Sequence, residues 1–181
     1  MERNAPRLET DRLILREHQL ADFAEMARMW ADPVVTRYIG GRPSSRSESW
    51  ARLLRYRGHW SFLGFGYWAV EEKASGRFLG EVGFGDFKRD LEPSIDGVPE
   101  VGWALQPSAH GRGVGTEALR RVLEWGDRNL GAPRTVCLIT PENQVSKHLA
   151  AKCGFREWVR TTYAGHPAVL YERPAPRLSP L

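Results

Sequence analysis

The chain of 181 residues is poor in cysteine and in lysine: it has only Cys137 and Cys153, and only Lys73, Lys88, Lys147 and Lys152. The two cysteines stand neither at metal-ligand spacing nor in a C-x-x-C pair, which argues against a metal site and a dithiol redox motif and leaves reduced, structural thiols. No apolar run approaches the roughly 20 residues needed to cross a bilayer. The first residues carry Glu2, Arg3, Arg7, Glu9 and Asp11 in place of a signal-type apolar stretch, so a cytoplasmic location without membrane contact is expected. With lysine scarce, the net charge of +4 and pI near 9.3 rest on arginine, the cation suited to carboxylate and phosphate. That excess is small and is gathered into no basic tail, which argues against a nucleic-acid partner.

The chain is rich in closely spaced glycine at one place. Residues 107–119 read P-S-A-H-G-R-G-V-G-T-E-A-L, in which Gly111, Gly113 and Gly115 allow positive φ and expose backbone N–H groups without a Cβ in the way. Helical periodicity starts at once, with Ala118, Leu119, Val122, Leu123, Gly126 and Leu130 on one face. The turn therefore sits at the positive end of a helix, where an anion such as a pyrophosphate is favoured. There is no Lys-Ser/Thr pair after the glycines, as a nucleotide-triphosphate loop requires, and no early G-x-G-x-x-G followed by an acidic residue for a ribose.

Around this turn the pattern predicts a strand at 13–16, a helix at 20–30 ended by Asp32-Pro33, and a helix at 44–60. That second helix is expected to point Trp50, Leu53 and Leu54 inward and Arg46, Arg52 and Arg55 outward. A hairpin follows at 67–71 and 77–87, turning through Ala74-Ser75-Gly76, then a polar loop at 89–99 and a strand at 98–105. The glycine turn, its helix and a strand at 135–140 complete a βαβ unit whose right-handed crossover makes the two strands parallel. A short helix at 143–153 and a hairpin at 155–162 with 168–173 close the chain. With no repeat and no linker, one domain over 1–173 is expected, with 174–181 as a frayed Pro-rich tail.

Residues 110–115, H-G-R-G-V-G, resemble the Q/R-x-x-G-x-G/A acyl-CoA signature of the GNAT superfamily of N-acyltransferases, with His110 where the family more often carries Gln or Arg. A second block, N-x-x-S-x-x-x-x-x-K-x-G-F at Asn143, Ser146, Lys152, Gly154 and Phe155, is similar to the branch of ribosomal-protein N-terminal acetyltransferases, as is L-E-T-D-R-L-I-L-R at 8–16. The resemblance spans residues 8–171 in the family's order. It implies an α/β GNAT-type fold: a mixed twisted sheet of about six or seven strands flanked by about four helices. It implies acetyl-CoA as the cofactor, its pyrophosphate on the turn at His110, Gly111, Arg112, Gly113, Val114, Gly115 and Thr116. The pantetheine arm would lie along Trp103, Ala104 and Leu105, with Asn143 and Ser146 also near it. No metal is implied, and homodimers are common among the proteins it resembles.

Moving an acyl group from a thioester to an amine needs an unprotonated nucleophile, a polarised carbonyl and a proton for the thiolate. An α-amine titrates near ~8 and a lysine amine near ~10.4, so a carboxylate or an ordered water completes deprotonation. By resemblance Glu100 stands where many GNAT enzymes place the general base, and Glu81 on the neighbouring strand competes; either is alternatively a solvated strand-end charge. Ser146 matches the serine this branch carries in place of a thiol-protonating tyrosine, and it alternatively caps the short helix. Aromatic residues between Tyr56 and Trp68 line an acceptor pocket or fill core, and the arginines before them attract an acidic acceptor or solvate a helix face. The expected activity is acetyl transfer to a primary amine by direct attack in a ternary complex, the acceptor being a protein N-terminal α-amine or a small molecule. The alternatives are a non-catalytic CoA-binding module and, last, a basic nucleic-acid binder.

Overall fold

The computed structural model describes residues 4–176. Eight strands form one sheet in the order β1-β2-β3-β4-β5-β6-β8-β7. They are β1 (Leu8–Glu9), β2 (Leu13–Arg16), β3 (Tyr67–Glu72), β4 (Phe78–Gly85), β5 (Glu100–Leu105), β6 (Arg134–Ile139), β7 (Arg156–Tyr163) and β8 (His166–Pro174). The helices are α1 (Phe23–Trp30), α2 (Pro33–Thr36), α3 (Arg46–Leu63), α4 (Val114–Asn129) and α5 (Gln144–Lys152). The extra elements relative to the sequence-based expectation are short. The two residues of β1 cannot show an alternation, and Asp32-Pro33, which ends α1, also begins α2: the Asp32 side chain accepts from the Val34 amide and Pro33 suits a first helical turn.

The sheet separates two packed layers. On one face Met26, Met29 and Trp30 of α1 and Leu53 and Tyr56 of α3 cover Tyr67, Ala69 and Ala104. On the other, Leu119, Val122 and Leu123 of α4 and Ala150 beside α4 pack on Trp68, Val70, Val82, Phe84 and Val101. Helix α3 starts at a capping box made by Ser45 and Glu48. Its buried face is Ser49, Leu53, Tyr56 and Trp60, spaced four, three and four residues apart. Two inward assignments are corrected by this register: Trp50 and Leu54 lie off that stripe and are 40% and 50% exposed. Arg52, expected outward, instead lays its guanidinium 3.6 Å from the centroid of the Trp30 ring, a cation–π contact.

The loop expected to be wholly polar at 89–99 is pinned by Leu91 and Ile95, which are buried with Val136 and Leu170. At the end of the chain, β8 runs through Pro174, and the Ala175 amide donates to the Pro133 carbonyl at 2.9 Å. The expected tail is thus ordered at its first residues, and positions 177–181 lie outside the described residues. No helix among the described residues is long and apolar enough to cross a membrane.

One irregularity positions the site. Strand β5 pairs with β4 along its whole length, from Gly85↔Glu100 to Gly80↔Leu105, but its parallel ladder with β6 has the single pair Glu100↔Val136. Beyond that pair the two strands part. Backbone groups of β5 that face β6 are left without a ladder partner, and such groups seek another one.

Candidate active site

The strand β5 leads through Pro107–Ala109 into the glycine turn and α4. Gly113 is the N-cap residue of α4 at φ 77, a left-handed conformation that suits glycine, and it offers no capping side chain. The first α-helical bond runs from the Glu117 amide to the Gly113 carbonyl at 3.1 Å. The amides of Val114, Gly115 and Thr116 therefore have no partner within the helix and point out of its positive end. Gly115 is helical, contrary to the positive φ expected of it. Its missing Cβ serves close packing, since a Cβ there would come 2.6 Å from Leu149 Cδ1. Two side chains of the turn are engaged by the protein itself: His110 Nε2 lies 3.0 Å from the Leu105 carbonyl oxygen, and Arg112 pairs with Glu72. What the start of α4 offers an anion is backbone N–H groups.

Between the parted strands lies a cleft of about 630 Å³, part of it open to solvent. One wall is Val101, Gly102, Trp103 and Ala104 of β5; the other is Cys137, Leu138 and Ile139 of β6 with Thr140, Asn143 and Ser146 beyond it. Asn143 caps α5, its Oδ1 accepting from the Ser146 amide at 3.1 Å. The Ser146 hydroxyl is therefore not the cap; it accepts from Trp103 Nε1 at 3.3 Å. At the mouth, the Thr140 hydroxyl donates to the Tyr38 carbonyl at 3.0 Å and ties the segment after α2 to the end of β6.

On the α1 and α3 side the cleft ends on Trp30, Tyr38, Tyr56, Tyr67, Glu81, Arg89 and Glu100. Neither glutamate is a solvated strand end: Glu100 is 5% exposed and Glu81 0%. The Arg89 fork reaches both oxygens of Glu100, Nε to Oε2 at 2.7 Å and Nη2 to Oε1 at 2.9 Å, so each already accepts from a cation. Glu81 is held on one oxygen only. Its Oε1 accepts from Trp30 Nε1 at 3.0 Å and from the Tyr56 hydroxyl, while Oε2 has no hydrogen-bond partner. Burial, and then the Glu81 charge, push the Tyr56 phenol well above its ordinary value, so it stays a donor. Tyr67 stacks on Tyr56 at 4.4 Å, and its hydroxyl fills the place of a side chain at Gly102, where a Cβ would come 2.2 Å from it.

A family profile described as the acetyltransferase (GNAT) domain matches residues 12–156. A structure described as a GnaT-family acetyltransferase from Bordetella pertussis is similar to this chain at 32% identity and a TM-score of 0.82, covering 93% of this chain and 99% of that one. The chain belongs to the GNAT acetyltransferase family. Like other members it is an N-acetyltransferase, and it is 25% identical over 151 residues to N-acetyltransferase p20 of Bacillus licheniformis, covering 83% of this chain and 82% of that protein. The fold is shared with a ribosomal L7/L12 α-N-protein acetyltransferase structure in complex with coenzyme A, at 15% identity, a TM-score of 0.76 and coverage of 93% and 98%.

Of the residues to which the resemblance pointed, the structure brings Trp103, Ala104, Glu81, Glu100, Asn143 and Ser146 together along the cleft; Leu105 and the turn from His110 to Thr116 do not line it and lie further along, where β5 leads into α4. The structure adds Trp30, Tyr38, Arg89 and, just behind Glu81, His18. Trp30 had a signal, as the last apolar residue of the α1 stripe. Arg89 and His18 had none, since each is a single residue between elements. Neither thiol suits a covalent route: burial pushes Cys137 well above the ordinary thiol value and raises Cys153 as well, and a protonated thiol is a weak nucleophile.

Proposed function

We propose that this chain transfers an acetyl group from acetyl-CoA to a primary amine within one ternary complex, with Glu81 as the group that takes the amine's proton. The observation that carries this reading is Oε2 of Glu81: a fully buried carboxylate oxygen without a hydrogen-bond partner, in a residue that lines the cleft, with His18 Nε2 as a neighbour at 3.6 Å. Trp30 and Tyr56 hold the other oxygen and so orient the carboxylate, as a general base requires. Glu100 then serves to hold Arg89 in the wall. This assignment reverses the order in which the resemblance ranks the two glutamates.

The residues present fit acetyl-CoA. The free amides of Val114, Gly115 and Thr116 suit its pyrophosphate, and the unpaired edge of β5 at Trp103, Ala104 and Leu105 suits the amides of its pantetheine arm. When bound there, it supplies the acetyl group as an activated thioester. A backbone N–H of β5 polarises the acyl carbonyl, and the Ser146 hydroxyl, held by Trp103, stands ready to hydrogen-bond the sulfur. The acceptor enters from the α1 and α3 side, where Trp30, Tyr38, Tyr56 and Tyr67 give the cleft an aromatic lining. Its class is the α-amine of a protein N-terminus or a small-molecule amine.

One observation favours a second reading, a CoA-binding module without turnover: Glu100, the base that the resemblance ranks first, is locked by Arg89. Thermal unfolding with acetyl-CoA and a screen of amines separate the two. A ligand at 100 times its Kd stabilises by about 2.7 kcal/mol, so the melting temperature is expected to rise. In Gly113→Asp the rise is expected to shrink, because the new carboxylate meets the anion; an affinity loss of about tenfold corresponds to about 1.4 kcal/mol. No rise in the unsubstituted chain would refute both readings, and a rise without acetylation of any peptide N-terminus, amino acid or polyamine would leave the binding module.

A further inference from the structure

Behind the cleft lies a second cavity, lined by His18, Leu20, Leu53, Leu54, Arg57 and Trp60 among others. It encloses about 550 Å³, part of it open to solvent. The stacked rings of Tyr56 and Tyr67 line both cavities and form the partition between them. One polar pair crosses that partition: Glu81 lines the cleft, His18 lines the second cavity, and His18 Nε2 stands 3.6 Å from Glu81 Oε2. The two side chains are 4% and 0% exposed. Neither His18 ring nitrogen has a hydrogen-bond partner, and neither has Glu81 Oε2. Buried polar atoms without partners are costly, and here three of them sit together in two facing side chains. A ring that merely filled space beside Tyr56 has no need of two bare nitrogens against a bare carboxylate oxygen.

We propose that His18 is the outlet for the proton that Glu81 takes, delivering it to water in the second cavity, on the side away from the acceptor. The inference rests on Glu81 as the base. The proton count requires such an outlet. A primary ammonium loses one proton to become a nucleophile, and the nitrogen loses a second as the N–C bond forms and the C–S bond breaks. The second ends on the sulfur, so one proton per turnover leaves for solvent. With acceptor and acetyl-CoA filling the cleft, Glu81 is shut off from water on that side. The proton then passes from Glu81 Oε2 to His18 Nε2, His18 Nδ1 releases its own to water, and a flip of the ring turns the bare nitrogen back to Glu81 for the next turnover. The 3.6 Å gap is wider than a hydrogen bond and closes by a small ring rotation, in keeping with catalytic contacts that tighten when substrate binds.

His18 is thus a positioning and relay residue that touches no substrate. The titratable and charged groups around it are Glu81 from β4, Tyr56 and Arg57 from α3, Tyr67 from β3, Glu17 beside it, and Asp22 in the turn before α1.

The test has two arms. In the first, ring ¹⁵N NMR of the free protein at one fixed pH compares the parent with Glu81→Gln. The substitution is expected to move the His18 ring signals, because the two side chains face each other at 3.6 Å, while leaving those of His148 and His166 in place. Unmoved His18 signals overturn the proposal. In the second, His18→Ala is assayed with acetyl-CoA and the best amine of the screen. The expected result is a fall in kcat of about tenfold or more, an unchanged acetyl-CoA-induced rise in melting temperature, and partial recovery of kcat by added imidazole. An unchanged kcat, or a loss that imidazole does not recover while His18→Gln loses as much, overturns it, since imidazole replaces a proton carrier but not a packing defect. If the unsubstituted protein acetylates nothing, the proposed function fails, and the NMR arm still decides by itself whether His18 senses Glu81.

Discussion

The two sides of the cleft are built from different materials. The side proposed for the cofactor is backbone: a glycine N-cap, three amides at the start of α4, and a strand edge that β6 abandons after one pair. Two side chains of its turn are engaged by the protein itself, His110 by the Leu105 carbonyl and Arg112 by Glu72. The side proposed for the acceptor is side chains from separate segments: Trp30 from α1, Tyr56 from α3, Tyr67 from β3, Glu81 from β4, and Arg89 from the loop before β5, with His18 behind Glu81. Any chain that makes the same turn builds such a backbone site, which tolerates change in the residues that flank it. A side-chain site depends on each residue and on the packing that holds it, so on the proposed function the chemistry and the choice of amine are concentrated there.

The largest effect that would break this division is expected at Glu81. Glu81→Gln keeps the shape and the Trp30 contact but removes the proton acceptor, so kcat is expected to fall about 10²–10⁴-fold while acetyl-CoA still raises the melting temperature. Steady-state kinetics beside calorimetric titration of CoA check both halves. A matching loss in Glu100→Gln with an unaffected Glu81→Gln would move the base to Glu100.

Next comes Arg89, which tests whether the other carboxylate is structural. Arg89→Ala leaves Glu100 buried and unpaired, and breaking one side of such a pair costs about 3–5 kcal/mol. Urea unfolding should show that loss, and Arg89→Ala combined with Glu100→Gln should recover much of it. A single variant as stable as the parent would show that the fork contributes nothing to the wall.

The smallest effect sharpens the setting of His18. Burial pushes the Asp22 carboxyl up, but the Arg16 fork at 2.8 Å and the Gln19 amide outweigh it and hold the group below 3.8. A depressed carboxyl value means that its contribution is complete above 3.8 and is lost as pH falls through the lower folded value. Asp22→Asn is therefore expected to lose about 1.5–3 kcal/mol near neutral pH, the range for hydrogen bonds to charged groups, and the difference from the parent should shrink below pH 3.8. Unfolding curves at neutral and acid pH measure it; a difference independent of pH would assign the loss to packing.

The glycine turn and the start of α4 were legible in the sequence because their determinants are contiguous. Three alternating glycines followed by a helical stripe signal a turn at a helix start wherever they occur, and the parallel pairing of β5 with β6 follows from strand, helix and strand in succession. The hairpin at β3 and β4 showed through the Ala74-Ser75-Gly76 turn. The register of α3 was less visible, because apolar Trp50 and Leu54 sit beside the true stripe and only packing chooses among Trp50, Leu53, Leu54 and Tyr56. The role of Gly102 was invisible, since the Tyr67 hydroxyl that demands it comes from two strands away. So was the fate of Glu100, whose partner Arg89 lies in a loop that carries no periodicity.

The order of the longer elements and the glycine turn at the start of α4 were thus determined by local sequence, since short-range geometry needs only neighbours along the chain, and the resemblance singled out the two glutamates. Tertiary structure alone decided which glutamate is free and what stands behind it. Whether a carboxylate is capped by a guanidinium or left bare depends on groups that meet only when the sheet and helices have packed.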